Sequence, residues 1–235
     1  MKPLYILVSL ALLFCCHDSN CQTKANIGIG YNIGTHVKTD GLGFVIGRYN
    51  DTRTYLTTKM KEPRFFRGMN LALDFFYPKC LLDFEWIGRK SDVMAEDTQS
   101  NTRRDFRYKV SSFNFGFGIK MNNKKSGVMG SYLGIDFNMI SIKNYTRVYQ
   151  IGGDKDGYRK INSEFAAGFS PFLQFVGNRF TTKLYYQFML NKVNYWDVNR
   201  AINPKTWPLD EFDSNKGRSS SLGICLRFNL LKNKD

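Results

Sequence analysis

Few residues in this 235-residue chain have the types that covalent or metal chemistry requires. It contains 2 histidines, His17 and His36, so a mechanism built on a cluster of imidazoles has no material. His36 could serve as a base for the hydroxyl of Ser141 or Ser220. A lone His at a strand end is ordinarily a solvated residue, and the chain is not expected to be an enzyme. The run Gly152-Gly153-Asp154-Lys155-Asp156-Gly157 has the look of a calcium loop. The EF-hand needs a bidentate Glu at its last position. Counted from Gly152, that position is Ser163, with Glu164 one residue late, so the run reads as an Asp-Gly turn. Gly28-Ile29-Gly30-Tyr31-Asn32-Ile33-Gly34 is G-x-G-x-x-x-G, which is not the dinucleotide fingerprint, and no helix follows it. No cofactor and no metal are expected. What remains is charge: 34 Lys plus Arg against 20 Asp plus Glu, a formal net charge of +14.

What those charges can do depends on the elements that hold them. A mean hydropathy of −0.37 excludes a bundle of membrane-spanning helices, which would need several apolar runs of about 20 residues. The 43% of hydrophobic residues excludes low-complexity disorder. Lys2 followed by the apolar stretch Leu4–Phe14 has the length of a signal-peptide core and is too short to span a bilayer. Ser19 and Cys21 are small residues at the positions a signal peptidase reads, which places cleavage before Gln22. Residues 1–21 are therefore a predicted signal peptide and residues 22–235 one exported domain. A lipoprotein signal wants a small residue before its Cys, and Cys15, Cys16 and Cys21 follow Phe14, Cys15 and Asn20. The exported domain keeps Cys80 and Cys225, which fall on opposite strand faces and are expected to be free thiols.

After Gln22 the dominant pattern is period-two alternation, the mark of strands with unlike faces. Ile27, Ile29, Tyr31 and Ile33 form one apolar set; Met69, Leu71, Leu73 and Phe75 form the next. Six more follow, around Phe84, Phe115, Ile135, Leu173, Tyr186 and Leu226. Short connections at 78–79, 122–127 and 177–179 alternate with long polar ones at 36–65, 90–104, 146–162 and 192–218. The pattern predicts an all-β, eight-stranded, antiparallel up-and-down transmembrane β-barrel, its short turns at one end and its long loops at the other. Tyr77, Trp86, Tyr108 and Tyr132 are expected in interfacial girdles. Residues 41–49 alternate as Leu42, Phe44 and Ile46 but also place Leu42, Val45, Ile46 and Tyr49 at helical spacing, so a long first loop with a short helix or hairpin is preferred, with a ten-stranded barrel as the alternative. Pro171 cannot donate a ladder hydrogen bond and predicts a bulge or break.

The last strand carries the most specific motif. Ser221-Leu222-Gly223-Ile224-Cys225-Leu226-Arg227-Phe228 resembles the β-signal of the small outer-membrane β-barrel proteins of Gram-negative bacteria. The resemblance implies the cell outer membrane as location and the barrel-assembly machinery as a partner, with Ser221, Gly223, Leu226 and Phe228 as the assembly signal. Proteins of that family often end at the aromatic residue, whereas this chain continues to Asp235.

With the apolar face outward, the lumen receives Asp74, Asp83, Glu85 and Asp136 together with Arg89, Lys120, Lys183 and Arg227. Inward charges in so narrow a barrel must pair or bear a desolvation cost, which predicts a salt-bridged lumen. The basic residues spread through the loops without a stripe of stacking aromatics, which excludes a nucleic-acid partner. Lys38, Arg48, Arg53, Lys59, Lys61, Arg64, Arg147, Arg159 and Lys160 are expected to face anionic lipopolysaccharide. The expected role is structural or a surface interaction. The different-class alternatives are a narrow gated pore, a lipid-modifying enzyme, and a soluble lipocalin-like binder of a hydrophobic ligand.

Overall fold

The computed structural model describes residues 24–121, 129–203 and 215–231. The predicted signal peptide, the turn at 122–127 and the side chain of Lys38 lie outside the described residues. Eight antiparallel strands close a ring: β1 (Lys24–Thr39), β2 (Phe65–Phe76), β3 (Cys80–Asp97), β4 (Thr102–Lys120), β5 (Gly130–Gln150), β6 (Arg159–Val176), β7 (Phe180–Met189) and β10 (Ser219–Asn229). Each strand pairs with the next along the chain, and β1 closes the ring on β10, with Ile29 opposite Phe228. Closure removes the open edges that a flat sheet would present. The fold class is the one the alternation predicts.

Two sections stand one above the other. Near the short turns, the outward positions of β4 and β5 are Phe113, Ile119, Leu133, Ile135, Phe137 and Met139, all exposed, while Asn114, Asp136 and Asn138 are buried inside. Beyond Ser111 and Ser141 the phase of polarity reverses along the same strands. The outward positions become Lys109, Arg107, Lys143 and Arg147, while Val110, Tyr108, Phe106, Ile140 and Ile142 are buried within the ring. This reversal corrects the expected loops at 90–104 and 146–162. Their flanks are continuations of β3, β4, β5 and β6, with Asp97 still paired to Thr102 and Thr146 to Arg159, which leaves connections only at 98–101 and 151–158. It also corrects the girdle, because Tyr108 and Tyr132 are fully buried inside the ring.

The upper section is filled by the helix of the first loop, α1 (Leu42–Asp51), whose Leu42, Val45, Ile46 and Tyr49 are buried at helical spacing. It starts at Gly41, where φ is 80° and an added Cβ would lie 2.9 Å from the backbone nitrogen of Gly217, so only glycine fits. The last long loop supplies a small sheet, β8 (Val193–Asn194) with β9 (Lys216–Gly217), and a short helix, α2 (Trp196–Ile202). Val198 and Ile202 of α2 join α1, Phe66, Phe106 and Ile142 in one apolar core. Arg53 ties the two helices together. It stacks 4.2 Å from the Tyr49 ring centroid and donates to the Ile202 carbonyl at 2.9 Å and to Asn203 Oδ1 at 3.0 Å.

Pro171 sits within β6 opposite Ile135. Toward β7 the ladder is interrupted between Phe169–Phe188 and Phe172–Tyr185 and then resumes in the same register, a break without a bulge. Cys225 is free and buried. Cys80 is disulfide-bonded, so the expectation of two free thiols is corrected at Cys80.

Candidate functional site

Because β3 and β7 stand opposite each other in the ring, with three strands between them on either side, a contact between them crosses the whole bore. Lys183 of β7 makes that crossing. Its ammonium reaches Glu85 of β3 at 3.1 Å and Asp136 of β5 at 2.9 Å, and it also pairs with Asp83 of β3. Arg227 of β10 lies 3.3 Å from Asp74 and 3.5 Å from Asp83. All six side chains are buried. Glu85 is further held by Asn70, whose amide donates to it at 2.8 Å. One level above, Arg89 of β3 donates to the Tyr185 hydroxyl of β7 at 2.8 Å and to Gln187, a second bridge across the bore. Asn32 donates to the same Tyr185 oxygen at 2.9 Å.

Of the eight residues assigned to the lumen, the structure therefore brings together Asp74, Asp83, Glu85, Asp136, Lys183 and Arg227. Arg89 is inside but bonds a phenol and an amide instead of a carboxylate. Lys120 is buried on the inward face near the turn end of β4. Sequence reasoning missed Tyr185. Its signal was Gly223, directly opposite it in register, where an added Cβ would lie 2.3 Å from the phenol ring. Within the motif, Ser221 is buried and donates to Gln187 at 3.4 Å, while Leu226 and Phe228 are exposed on the outer face.

His36 lies in the upper section, buried, with its ring 4.3 Å from that of Phe66. Its Nδ1 is 2.7 Å from the hydroxyl of Ser219. Neither expected partner contributes a hydroxyl: Ser220 offers its carbonyl at 3.2 Å, and Ser141 lies on the outward face of β5 opposite Ser111. The rings of Phe66 and Tyr108 both pack edge-on against this imidazole.

The basic residues assigned to the loops separate into committed and open groups. Arg53 bridges the helices and Arg147 is paired with Asp105 at 2.6 Å, while Arg64 pairs with Glu62 at 3.2 Å and is otherwise exposed. Arg48 is half-buried on α1; Lys59, Lys61, Arg159 and Lys160 are exposed. On the outer face of the upper section, Asp105 is gripped by Arg103 at 2.8 Å as well as by Arg147, and Arg107 pairs with Asp92 at 2.5 Å. The Tyr158 ring lies 3.9 Å from the Arg107 guanidinium and 4.3 Å from that of Arg147. Burial raises the Asp105 carboxyl, but hydrogen bonds from Arg103 and Arg147 outweigh it and hold the group below the usual aspartate range.

No protein-family model and no curated protein matches the chain. Among solved structures it is similar to Ail, the attachment invasion locus protein of Yersinia pestis, in complex with the heparin analogue sucrose octasulfate. The identity is 12%, the TM-score 0.45, and the match covers 89% of this chain and 99% of that one. A second structure of Ail matches at 13% identity and a TM-score of 0.38, over 88% of this chain and 97% of that one. At these values strand number and closure rest on the ladder of this barrel itself.

Proposed function

We propose that the chain is an outer-membrane β-barrel protein of a Gram-negative envelope, a closed scaffold that presents its upper section for surface interaction. One observation carries this reading: the outward face of the lower section is a continuous apolar belt. Ile27, Leu71, Phe84, Phe113, Ile135, Phe175, Leu184 and Leu226, one from each strand of the ring, are between 41% and 60% exposed. Each apolar side chain moved from water into lipid contributes roughly 1.5–3 kcal/mol, so the belt favours a bilayer strongly. The belt is about six to eight residues tall along each strand, ~20–27 Å at ~3.3 Å per residue before tilt, near the height of transmembrane barrels. The fold itself is shared by scaffolds, pores and enzymes.

Cross-bore pairs support the scaffold over the pore, since a conducting path would have to break Lys183 from three carboxylates at once. The buried position of His36 supports a non-enzymatic role. Open basic side chains at the upper end favour contact with anionic lipopolysaccharide. The exposed Leu226 and Phe228 fit recognition of the last strand by assembly machinery.

Membrane fractionation, followed by boiled and unboiled electrophoresis, tests the reading. Recovery in the outer membrane with faster migration when unboiled is expected. A soluble periplasmic protein would overturn it. Planar-bilayer recordings are expected to show no discrete openings, and stepwise conductance would replace the scaffold with a gated pore.

A further inference from the structure

The hydrogen-bond register places four basic side chains in one row across neighbouring strands. Arg67 is opposite Lys90, Lys90 opposite Lys109, and Lys109 opposite Lys143. All four are on the outward face, at the level where the apolar belt ends. Like charges directly opposite one another destabilise a sheet. None of the four belongs to an ion pair among the described residues; Lys109 has only the Tyr145 ring, 5.2 Å from its ammonium. A repulsive row held this way has a use only if an anion lies along it.

The surroundings define that anion. Above the β2–β3 end of the row, α1 and the segment before β2 enclose an open cleft of about 740 Å³, lined by Ile46, Met60 and Phe65 as well as by Lys61, Arg67 and Lys90. Its acids are already engaged, Glu62 with Arg64 and Asp92 with Arg107. Below the row the next outward positions are Met69, Gly88, Ser111 and Ser141, a shelf of small residues on three of the four strands. Below the shelf, Leu71, Trp86, Phe113 and Met139 border an apolar concavity of about 560 Å³ on the belt. The Trp86 indole leans up over Gly88, where an added Cβ would lie 2.6 Å from the ring. Cations, a small polar shelf and an apolar trough thus follow one another down a single wall, in the order of a phosphorylated headgroup and its acyl chain.

We propose that the β2–β5 wall is a specific site for a phosphorylated glycolipid of the outer leaflet, of the lipid A kind. Its phosphate lies on Arg67, Lys90, Lys109 and Lys143, its sugar enters the cleft, and one acyl chain fills the trough beside Trp86. The glycolipid is chosen over a simple phospholipid because a cleft large enough for a sugar, with Asn50 and Lys61 in its lining, adjoins the row. The proposal rests on the outer-membrane reading and adds a partner with named contacts.

The test uses the full folded protein in phosphatidylcholine nanodiscs, titrated with lipid A, with dephosphorylated lipid A and with phosphatidylglycerol, and read by native mass spectrometry. One-to-one binding of lipid A is expected, at least tenfold weaker without its phosphates and at least tenfold weaker in the Lys90→Gln/Lys109→Gln variant. Trp86→Ala should weaken lipid A binding severalfold, whereas Lys79→Gln/Arg179→Gln, exposed in the short turns at the opposite end, should leave it unchanged. Equal binding of the dephosphorylated lipid, or unchanged binding by the Lys90/Lys109 variant, would overturn the site. Phosphatidylglycerol bound as tightly as lipid A would overturn the glycolipid assignment. Unboiled electrophoretic migration of each variant separates a lost site from a lost fold. Failure of the wild type to enter nanodiscs would instead sink the membrane reading on which the site depends.

Discussion

The lower and upper sections of this barrel share strands, hydrogen-bond ladders and a period of two, yet their chemistry is inverted. On β4 the lower section shows Phe113 and Ile119 to the outside and buries Asn114. Six residues up, Arg107 and Asp105 are outside and Phe106 is buried. The difference teaches that alternation reports only that two faces differ; which face is apolar depends on what surrounds it. A barrel in lipid must satisfy its polar groups internally, while the same sheet in water buries its apolar groups as any soluble core does. The row Met69–Gly88–Ser111–Ser141, between the cations and the belt, marks the reversal of polarity.

The largest expected effect comes from breaking the lower interior. Lys183→Met would leave Asp83, Glu85 and Asp136 facing one another without their shared cation, a loss of about 3–5 kcal/mol or failure to fold. The fraction of unboiled, fast-migrating protein across a urea series measures it. Arg147→Met, which leaves Asp105 its second partner Arg103, should cost less in the same assay.

Next in size is a charge placed on the belt. Ile135→Arg is expected to cost about 2–4 kcal/mol if that position lies near the bilayer midplane, read from the same folded fraction in lipid vesicles. A cost near zero would mean that Ile135 faces water.

A smaller pair of changes sharpens the contrast between packed core and lipid. Ile46→Val removes one methylene from the α1 core and should cost about 1 kcal/mol. Ile135→Val removes the same group from a surface where acyl chains refill the space, so its unfolding midpoint should stay close to wild type.

The smallest effect is one of pH. The folded Asp105 carboxyl lies below its unfolded value of about 3.9 and is held there by Arg103 and Arg147. Its contribution is therefore fully present above the unfolded value and is lost as pH falls through the lowered one. Hydrogen exchange at residues 103–107 should speed up over that acid window while exchange at 113–119 does not. Asp105→Asn should abolish the difference.

The sequence exposed its lower section readily. Eight outward apolar sets and the six charged residues that meet across the bore could be assigned because the strands alternate cleanly there between an apolar and a polar face. The spacing of Leu42, Val45, Ile46 and Tyr49 admitted α1 beside a hairpin, since a helix that buries one face must repeat near 3.6 while the same residues also alternate. The upper section was hidden at its strands. Residues 90–104 and 146–162 are polar on their outward side and lie just past the phase reversal, so a reading that follows a single apolar face loses them as loops. Arg53 and Arg147 looked like open cations because their partners, Ile202 and Asp105, lie far away in sequence.

What the sequence determined by itself was local and periodic: strand and helix type, the two unlike faces, the glycine demanded by Gly41, and the ladder break at Pro171. Three things were decided only by tertiary structure. Ring closure set β3 opposite β7, and so made Lys183 and Arg89 bridges across the bore. Register aligned Arg67, Lys90, Lys109 and Lys143 into one row. Packing of α1 and α2 inside the upper ring turned that section into an apolar core. The physical reason is common to all three: periodicity is written into neighbouring residues, whereas the juxtaposition of charges 47 to 153 residues apart exists only once the sheet has closed.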